Sequence, residues 1–143
     1  MKNPFGIRER KCRKSDYLFF RKIIKDTLYD YVTEYFPFDF EHVKNSFDKT
    51  YKEVTILMKG KKRIGLYQLT PHGKKLEITR IFLIPSYQGK GIGKWYFSYF
   101  EILGYKEIFL ECWDNNPAIG FYKLLGYKKV KTEKHKVFMK KAI

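Results

Sequence analysis

The chain has 143 residues, enough for one domain with its own core and too few for two. Apolar residues make up 44% and aromatics 19%, so the chain is of the folding rather than the disordered class, and no apolar run approaches the length of a membrane span. The formal net charge of +15, from 30 basic and 15 acidic residues, suits an anionic partner: nucleic acid, a membrane surface or a phosphorylated ligand.

Residues 6–13 read as a short first strand with Ile7 and Cys12 toward the core. Ser15 is the expected cap of a first helix, with Asp16 in its first turn. Phe20, Ile23, Ile24, Leu28, Tyr31 and Val32 keep a helical period as far as Phe36, where Pro37 ends it. Asp39 caps a second helix carrying Phe40, Val43 and Phe47. Strands follow at 53–58 and 63–70, and then at 76–84, separated by turns at Gly60 and at 71–74. A third helix begins after the glycine-dense stretch at 88–93, carries Ile92, Tyr96, Tyr99, Phe100 and Leu103 on one face, and stops at Gly104. Residues 107–113 form a further strand. Asn115-Asn116-Pro117 opens a helix that Gly126 closes, and strands at 127–130 and 136–139 complete the chain. The order βααβββαβαββ implies an α/β (α+β) fold: one domain over 1–143, with a mixed, mostly antiparallel sheet and helices on both faces.

Cys12 and Cys112 are far apart with no CxxC, and His42, His72 and His135 are scattered without metal-ligand spacing. Neither a disulfide nor a metal is therefore expected. The opening residues 1–6 have no apolar core of the kind a secretory leader needs, which points to the cytoplasm. Most of the basic residues are Lys rather than Arg, a bias that codon composition also produces. Specific nucleic-acid readers lean on the Arg fork, so nucleic acid is the lesser reading of the charge.

The stretch Leu83-Ile84-Pro85-Ser86-Tyr87-Gln88-Gly89-Lys90-Gly91-Ile92-Gly93 is a strand, a glycine turn and a helix start. Such a unit presents free backbone N–H groups to an anion. It is not a Walker A loop, because Gln88 and Trp95 occupy the positions of the first glycine and the hydroxyl. It is not the dinucleotide fingerprint either, because Lys94 stands at the third glycine. What fits is Q-x-x-G-x-G at Gln88, Gly91 and Gly93, followed downstream by N-x-x-A-x-x-x-Y at Asn115, Ala118 and Tyr122 and by Leu125-Gly126-Tyr127. On these motifs the chain resembles the GNAT superfamily of acyl-CoA N-acetyltransferases, most specifically over residues 76–130.

The resemblance implies acetyl-CoA as cosubstrate, a primary amine on a small molecule or protein as acceptor, and a monomer or homodimer. The amides of Gln88, Gly89, Lys90, Gly91, Ile92 and Gly93 would cradle the pyrophosphate, and Lys90 and Lys94 would either screen its charge or stay solvated. The backbone of Phe82 and Leu83 would bond the pantetheine arm, with Asn115 on the other side. Tyr122 would protonate the leaving thiolate, a role set against that of a core aromatic. Glu77, four residues before Ile81, is the candidate base; the other reading is a strand carboxylate paired by a lysine. Strict alternation puts Glu77, Thr79, Ile81 and Leu83 on one strand face. The acceptor site would draw on the first two helices, where Tyr29, Tyr31, Tyr35, Phe36, Phe38 and Phe40 either line an aromatic pocket or pack the core. A non-catalytic CoA-binding module, or a basic RNA- or ribosome-associated protein, is the rival use of the same fold.

Overall fold

Alternating β-branched and aromatic residues draw the middle of the chain into long strands, and the helices take the segments of 3.6-residue period. The computed structural model describes residues 3–143; Met1 and Lys2, part of the segment read as lacking a leader, lie outside the described residues. The elements are β1 (Arg8–Lys11), α1 (Tyr17–Thr33), α2 (Phe40–Thr50), β2 (Val54–Lys59), β3 (Lys62–His72), β4 (Lys75–Leu83), α3 (Ile92–Glu101), β5 (Glu107–Trp113), α4 (Ala118–Leu124), β6 (Lys128–Glu133) and β7 (Lys136–Ala142). They follow the expected order. The strands form one sheet, β1-β2-β3-β4-β5-β7-β6, in which every neighbouring pair is antiparallel except β4 and β5.

The two sheet faces carry separate cores. Phe20, Ile23 and Ile24 of α1 and Val43 and Phe47 of α2 cover Ile56 and Leu66 on one face. Ile92, Tyr96, Phe97 and Phe100 of α3 cover Leu57, Ile108 and Met139 on the other, where α4 also packs through Phe121 and Tyr122. Phe97 belongs to this buried stripe, whereas Leu103 lies beyond the end of α3 and is exposed.

Three local expectations change. Ser15 does not cap α1: Lys14–Asp16 forms a 3-10 turn and the capping position falls to Asp16, whose carboxylate points inward and is fully buried. It receives Arg10 Nη1 and Nη2, each at 2.8 Å, the Arg13 N–H at 2.8 Å and Arg63 Nε at 2.9 Å. The 71–74 turn shortens because Pro71 and His72 remain in β3, paired with Leu76 and Lys75. The last two strands outrun their predicted ends by three residues each, since antiparallel pairing carries even the fully exposed Lys-rich β6 to Glu133.

The change that matters most is in β4. Leu69 pairs with Ile78 but Gln68 pairs with Arg80, so Thr79 is an extra residue in a β-bulge. The Thr79 hydroxyl bonds that of Thr70 at 2.7 Å. A bulge reverses the alternation beyond it. Ile81 and Leu83 therefore pack with Ile78 into the α3 core, while Phe82 packs toward α1 and α2 and Arg80 lies 5.2 Å from the Phe20 ring. Glu77 thus shares a face with Arg80 and not with Ile81 and Leu83, as simple alternation would have it.

Candidate active site

The parallel pairing of β4 with β5 lasts for three residues, Lys75 with Glu107, Leu76 with Ile108 and Glu77 with Phe109. Beyond Glu77 the two strands separate and leave a wedge in the middle of the sheet. On the other flank of β4, the Ile84 N–H donates to the Ile64 carbonyl at 2.9 Å. Antiparallel alternation then turns the N–H and C=O of Leu83, and of Ile81, away from β3 and into the wedge. It turns those of Phe82 toward Leu66, its partner on β3. Leu83 is thus one of the two expected backbone contacts that faces the opening, and Phe82 contributes only its side chain. Gly65 lets β3 approach this closely: a Cβ there would lie 2.4 Å from the Phe82 carbonyl oxygen.

From Leu83 the chain runs through the turn into α3. Gly89 and Gly91 have φ of +71° and +83°, which L side chains rarely adopt, so glycine is needed at both for the backbone alone. Gly93 has an ordinary φ, and a Cβ there would meet nothing within 4 Å. The N-terminus of α3 has no side-chain cap and no acidic residue in its first turn. Its free N–H groups and the positive end of its dipole face the loop, flanked by the exposed Lys90 and Lys94. Open glycine backbone, an uncapped helix start and local positive charge together fit a pyrophosphate. The Gln88 side chain reaches back to β4, its Nε2 donating to the Leu83 carbonyl at 2.9 Å.

Two cavities meet in the wedge. One, of about 340 Å³, runs from Gln88 and Gly93 past Leu83 to Phe121. The other, of about 270 Å³, is walled by Glu77, Arg80, Cys112 and Asn116, with His42 at its α2 side. Ile81, Phe82 and Tyr122 line both. Tyr122 is held by ring contacts to Phe97 at 5.6 Å and Tyr127 at 6.4 Å. Burial, with a smaller contribution from the nearby Cys112 thiol, pushes its phenol well above the usual tyrosine range. Its hydroxyl stays protonated at any working pH.

Glu77 lines the second cavity and meets His72 Nε2 at 2.9 Å through Oε1. From sequence His72 reads only as a surface or helper residue, with no partner named. The hairpin register explains the contact: Thr70 opposes Glu77, and His72 is the diagonal neighbour on the same face.

Asn115 lines neither cavity, and its Oδ1 is buried without a hydrogen-bond partner among the described residues. Its Nδ2 donates to the Tyr31 carbonyl at 3.1 Å and to Glu34 Oε2 at 2.7 Å, which fastens the start of α4 to the end of α1. Its neighbour Asn116 reaches the cavity wall instead. The aromatic residues named for the acceptor side, several of which lie between α1 and α2, line neither of these cavities, though Phe36 lines a neighbouring opening with Trp113 and Lys136. Tyr29 and Phe40 pack on Phe38, and Tyr35 stacks on His135 at 3.8 Å and donates to Asp114 Oδ1 at 2.7 Å. Cys12 and Cys112 are free and buried in different cores, and burial pushes both thiols up to about 11. Among the described residues no helix is long and apolar enough to cross a membrane.

The family model described as "Acetyltransferase (GNAT) family" matches residues 19–127. No curated protein sequence matches the chain. Among solved structures, the chain is similar to the PaiA N-acetyltransferase of Thermoplasma acidophilum in complex with coenzyme A, with a TM-score of 0.74 at 20% identity over 97% of this chain and 100% of that one. It is similar to an acetyltransferase of Thermus thermophilus, TM-score 0.78 at 13% identity over 99% and 100%. It also resembles the ribosomal-protein-S18-alanine N-acetyltransferase of Escherichia coli, TM-score 0.69 at 17% identity over 96% and 94%.

Proposed function

The chain belongs to the GNAT family of acetyltransferases, and we propose that it transfers the acetyl group of acetyl-CoA to a primary amine. The observation that carries this reading is the meeting of two cavities at Tyr122, one leading to the glycine loop and the other to Glu77. A cosubstrate entering from one side and an acceptor from the other would have their reacting atoms in the wedge between β4 and β5.

Acetyl-CoA supplies an activated thioester carbonyl. The residues of this chain supply the rest. The wedge-facing N–H of Leu83 is a donor for the charge that develops on the carbonyl oxygen as the amine adds. The nitrogen–carbon bond forms, the carbon–sulfur bond breaks, the now cationic nitrogen gives up a second proton to solvent, and the thiolate leaves beside Tyr122 and takes up one proton from solvent in return. The amine must be neutral to attack. An alkylammonium, at about 10.4, is a far weaker acid than a carboxylic acid, at about 4.3, so Glu77 does not keep the proton: it holds the ammonium and orients the water through which the proton leaves for solvent. His72 then offers that proton a route to solvent, being half exposed at the outer end of the pair.

Free-thiol release from acetyl-CoA over a broad amine panel tests the activity, and a chain that binds acetyl-CoA but turns over no amine is a binding module. Gly93→Ala tests the cradle. Alanine is the better helix former by about 1 kcal/mol, and no protein atom opposes its Cβ. Melting temperature should hold or rise while calorimetry records acetyl-CoA binding weakened about ten-fold or more, about 1.4 kcal/mol. Unchanged affinity would remove the loop from the site. Glu77→Gln should lower kcat/KM near neutral pH, with recovery as pH rises and the amine deprotonates unaided. A pH–rate profile that overlays the unaltered protein assigns Glu77 to structure.

A further inference from the structure

The bulge at Thr79 has a chemical consequence for the acceptor. Residues three apart on a regular strand point to opposite faces. Here the extra residue brings Glu77 and Arg80 to one face, where both line the acceptor-side cavity.

The charges around that cavity are not alike. Glu77 has His72, and Glu111 has Lys136 at 3.1 Å. Arg80 bonds no carboxylate directly among the described residues: Nη1 donates to Gln68 Oε1 and Nη2 to Ser46 Oγ at 3.0 Å. Glu53 lies one link further out, accepting from Gln68 Nε2 at 2.9 Å. A guanidinium carries five N–H donors, so two neutral acceptors leave most of its capacity open. Burial depresses its pKa, with Glu77 and Glu53 acting against that from a distance. Gln68, Ser46 and the Phe20 ring hold the side chain against β3, α2 and α1, which makes it a fixed part of the wall rather than a mobile surface cation. A rigid, partly desolvated guanidinium is suited to bidentate pairing with a carboxylate. His42 on the same wall adds an imidazole.

Resting on the acetyltransferase reading above, we propose that the acceptor is an amino acid, its amine directed to Glu77 and its carboxylate to Arg80. A diamine or an uncharged amine would leave Arg80 without its counter-charge, at a cost that grows with the dryness of the closed site.

The test compares kcat/KM for the common α-amino acids, β-alanine and γ-aminobutyrate with that for the corresponding amides and for simple diamines. The unaltered protein should prefer at least one free acid over its amide by about ten-fold or more. Arg80→Gln should abolish that preference and Arg80→Lys should keep part of it, with acetyl-CoA affinity unchanged in both. Should Arg80→Gln not fold, the acid-against-amide comparison on the unaltered protein decides alone. Amides or diamines used as well as the acids, or an Arg80→Gln variant that keeps the preference, would overturn the proposal. So would a protein that binds acetyl-CoA yet acetylates no amino acid, and that outcome leaves the acetyl-CoA site standing. Failure to bind acetyl-CoA by calorimetry would overturn both.

Discussion

Tyr122→Phe should lower kcat for acetyl transfer by about 100-fold, the low end for removing one positioned hydrogen-bond donor to charge that develops in the transition state, and leave KM for acetyl-CoA within about two-fold. The ring is part of the α3–α4 core through Phe97 and Tyr127, and phenylalanine keeps those contacts. The hydroxyl is the only thing removed. Tyr122 lines both cavities where they meet, and burial pushes the pKa of its phenol up. A phenol raised in this way is a weaker acid than an ordinary thiol, at about 8.5, so complete transfer of its proton to the thiolate is uphill. Its contribution is a hydrogen bond that strengthens as negative charge gathers on sulfur, present in the transition state and weak before it. Loss of such a bond reads as kcat and kcat/KM falling together. Stopped-flow or steady-state thiol release on a variant of unchanged melting temperature is the measurement. A folded variant with the original kcat makes Tyr122 a packing residue and moves the donor elsewhere in the wedge.

The parts of this site that were legible in the sequence are those set by residue type at short range. Gly89 and Gly91 must be glycine for their φ alone, and Gln88 to Gly93 therefore announced the loop before any pairing was known. Strand and helix order followed from period and from Pro and Gly punctuation. What the sequence withheld depends on partners far along the chain. The bulge at Thr79 is fixed by how Gln68 and Leu69 pair across from it, and nothing in the run 76–83 reveals an extra residue. Alternation therefore set Glu77 on the wrong face and left Arg80 unremarked. Asn115 fits its motif by spacing, yet its amide nitrogen is engaged by Tyr31 and Glu34, 84 and 81 residues away. Asp16 likewise looks from sequence like one more acid in the first turn of a helix, since its arginine partners come from two different strands.

That acid carries the largest expected effect on stability. Asp16→Asn should lower the unfolding free energy at pH 7 by about 3 kcal/mol, the low end for breaking a buried ion pair. For a chain of this length that corresponds to a fall in melting temperature of roughly 10 °C. Burial of Asp16 opposes its ionisation. The hydrogen bonds from Arg10 and the Arg13 N–H, with the charges of Arg10 and Arg63, outweigh that and hold its pKa at about 2. The sign of the pH dependence follows. In the unfolded chain the carboxyl takes up its proton near pH 3.9, before the folded one does, so acid favours the unfolded state. The stabilisation is complete above about pH 5 and is lost as pH falls toward 2. Asparagine keeps the size but offers one acceptor oxygen and no charge to two arginines that are themselves only partly buried, so hydration of Arg10 and Arg63 limits the loss. Urea unfolding at pH 7, pH 4 and pH 2.5 should show the two proteins far apart at the first and converging at the last. Asp16 lines neither cavity, so kcat at a temperature where the variant is folded should be unchanged. A difference below about 1 kcal/mol at pH 7 is the size of a solvated surface pair. That result would mean that the arginines, and not the carboxylate, fix the start of α1 against β1 and β3.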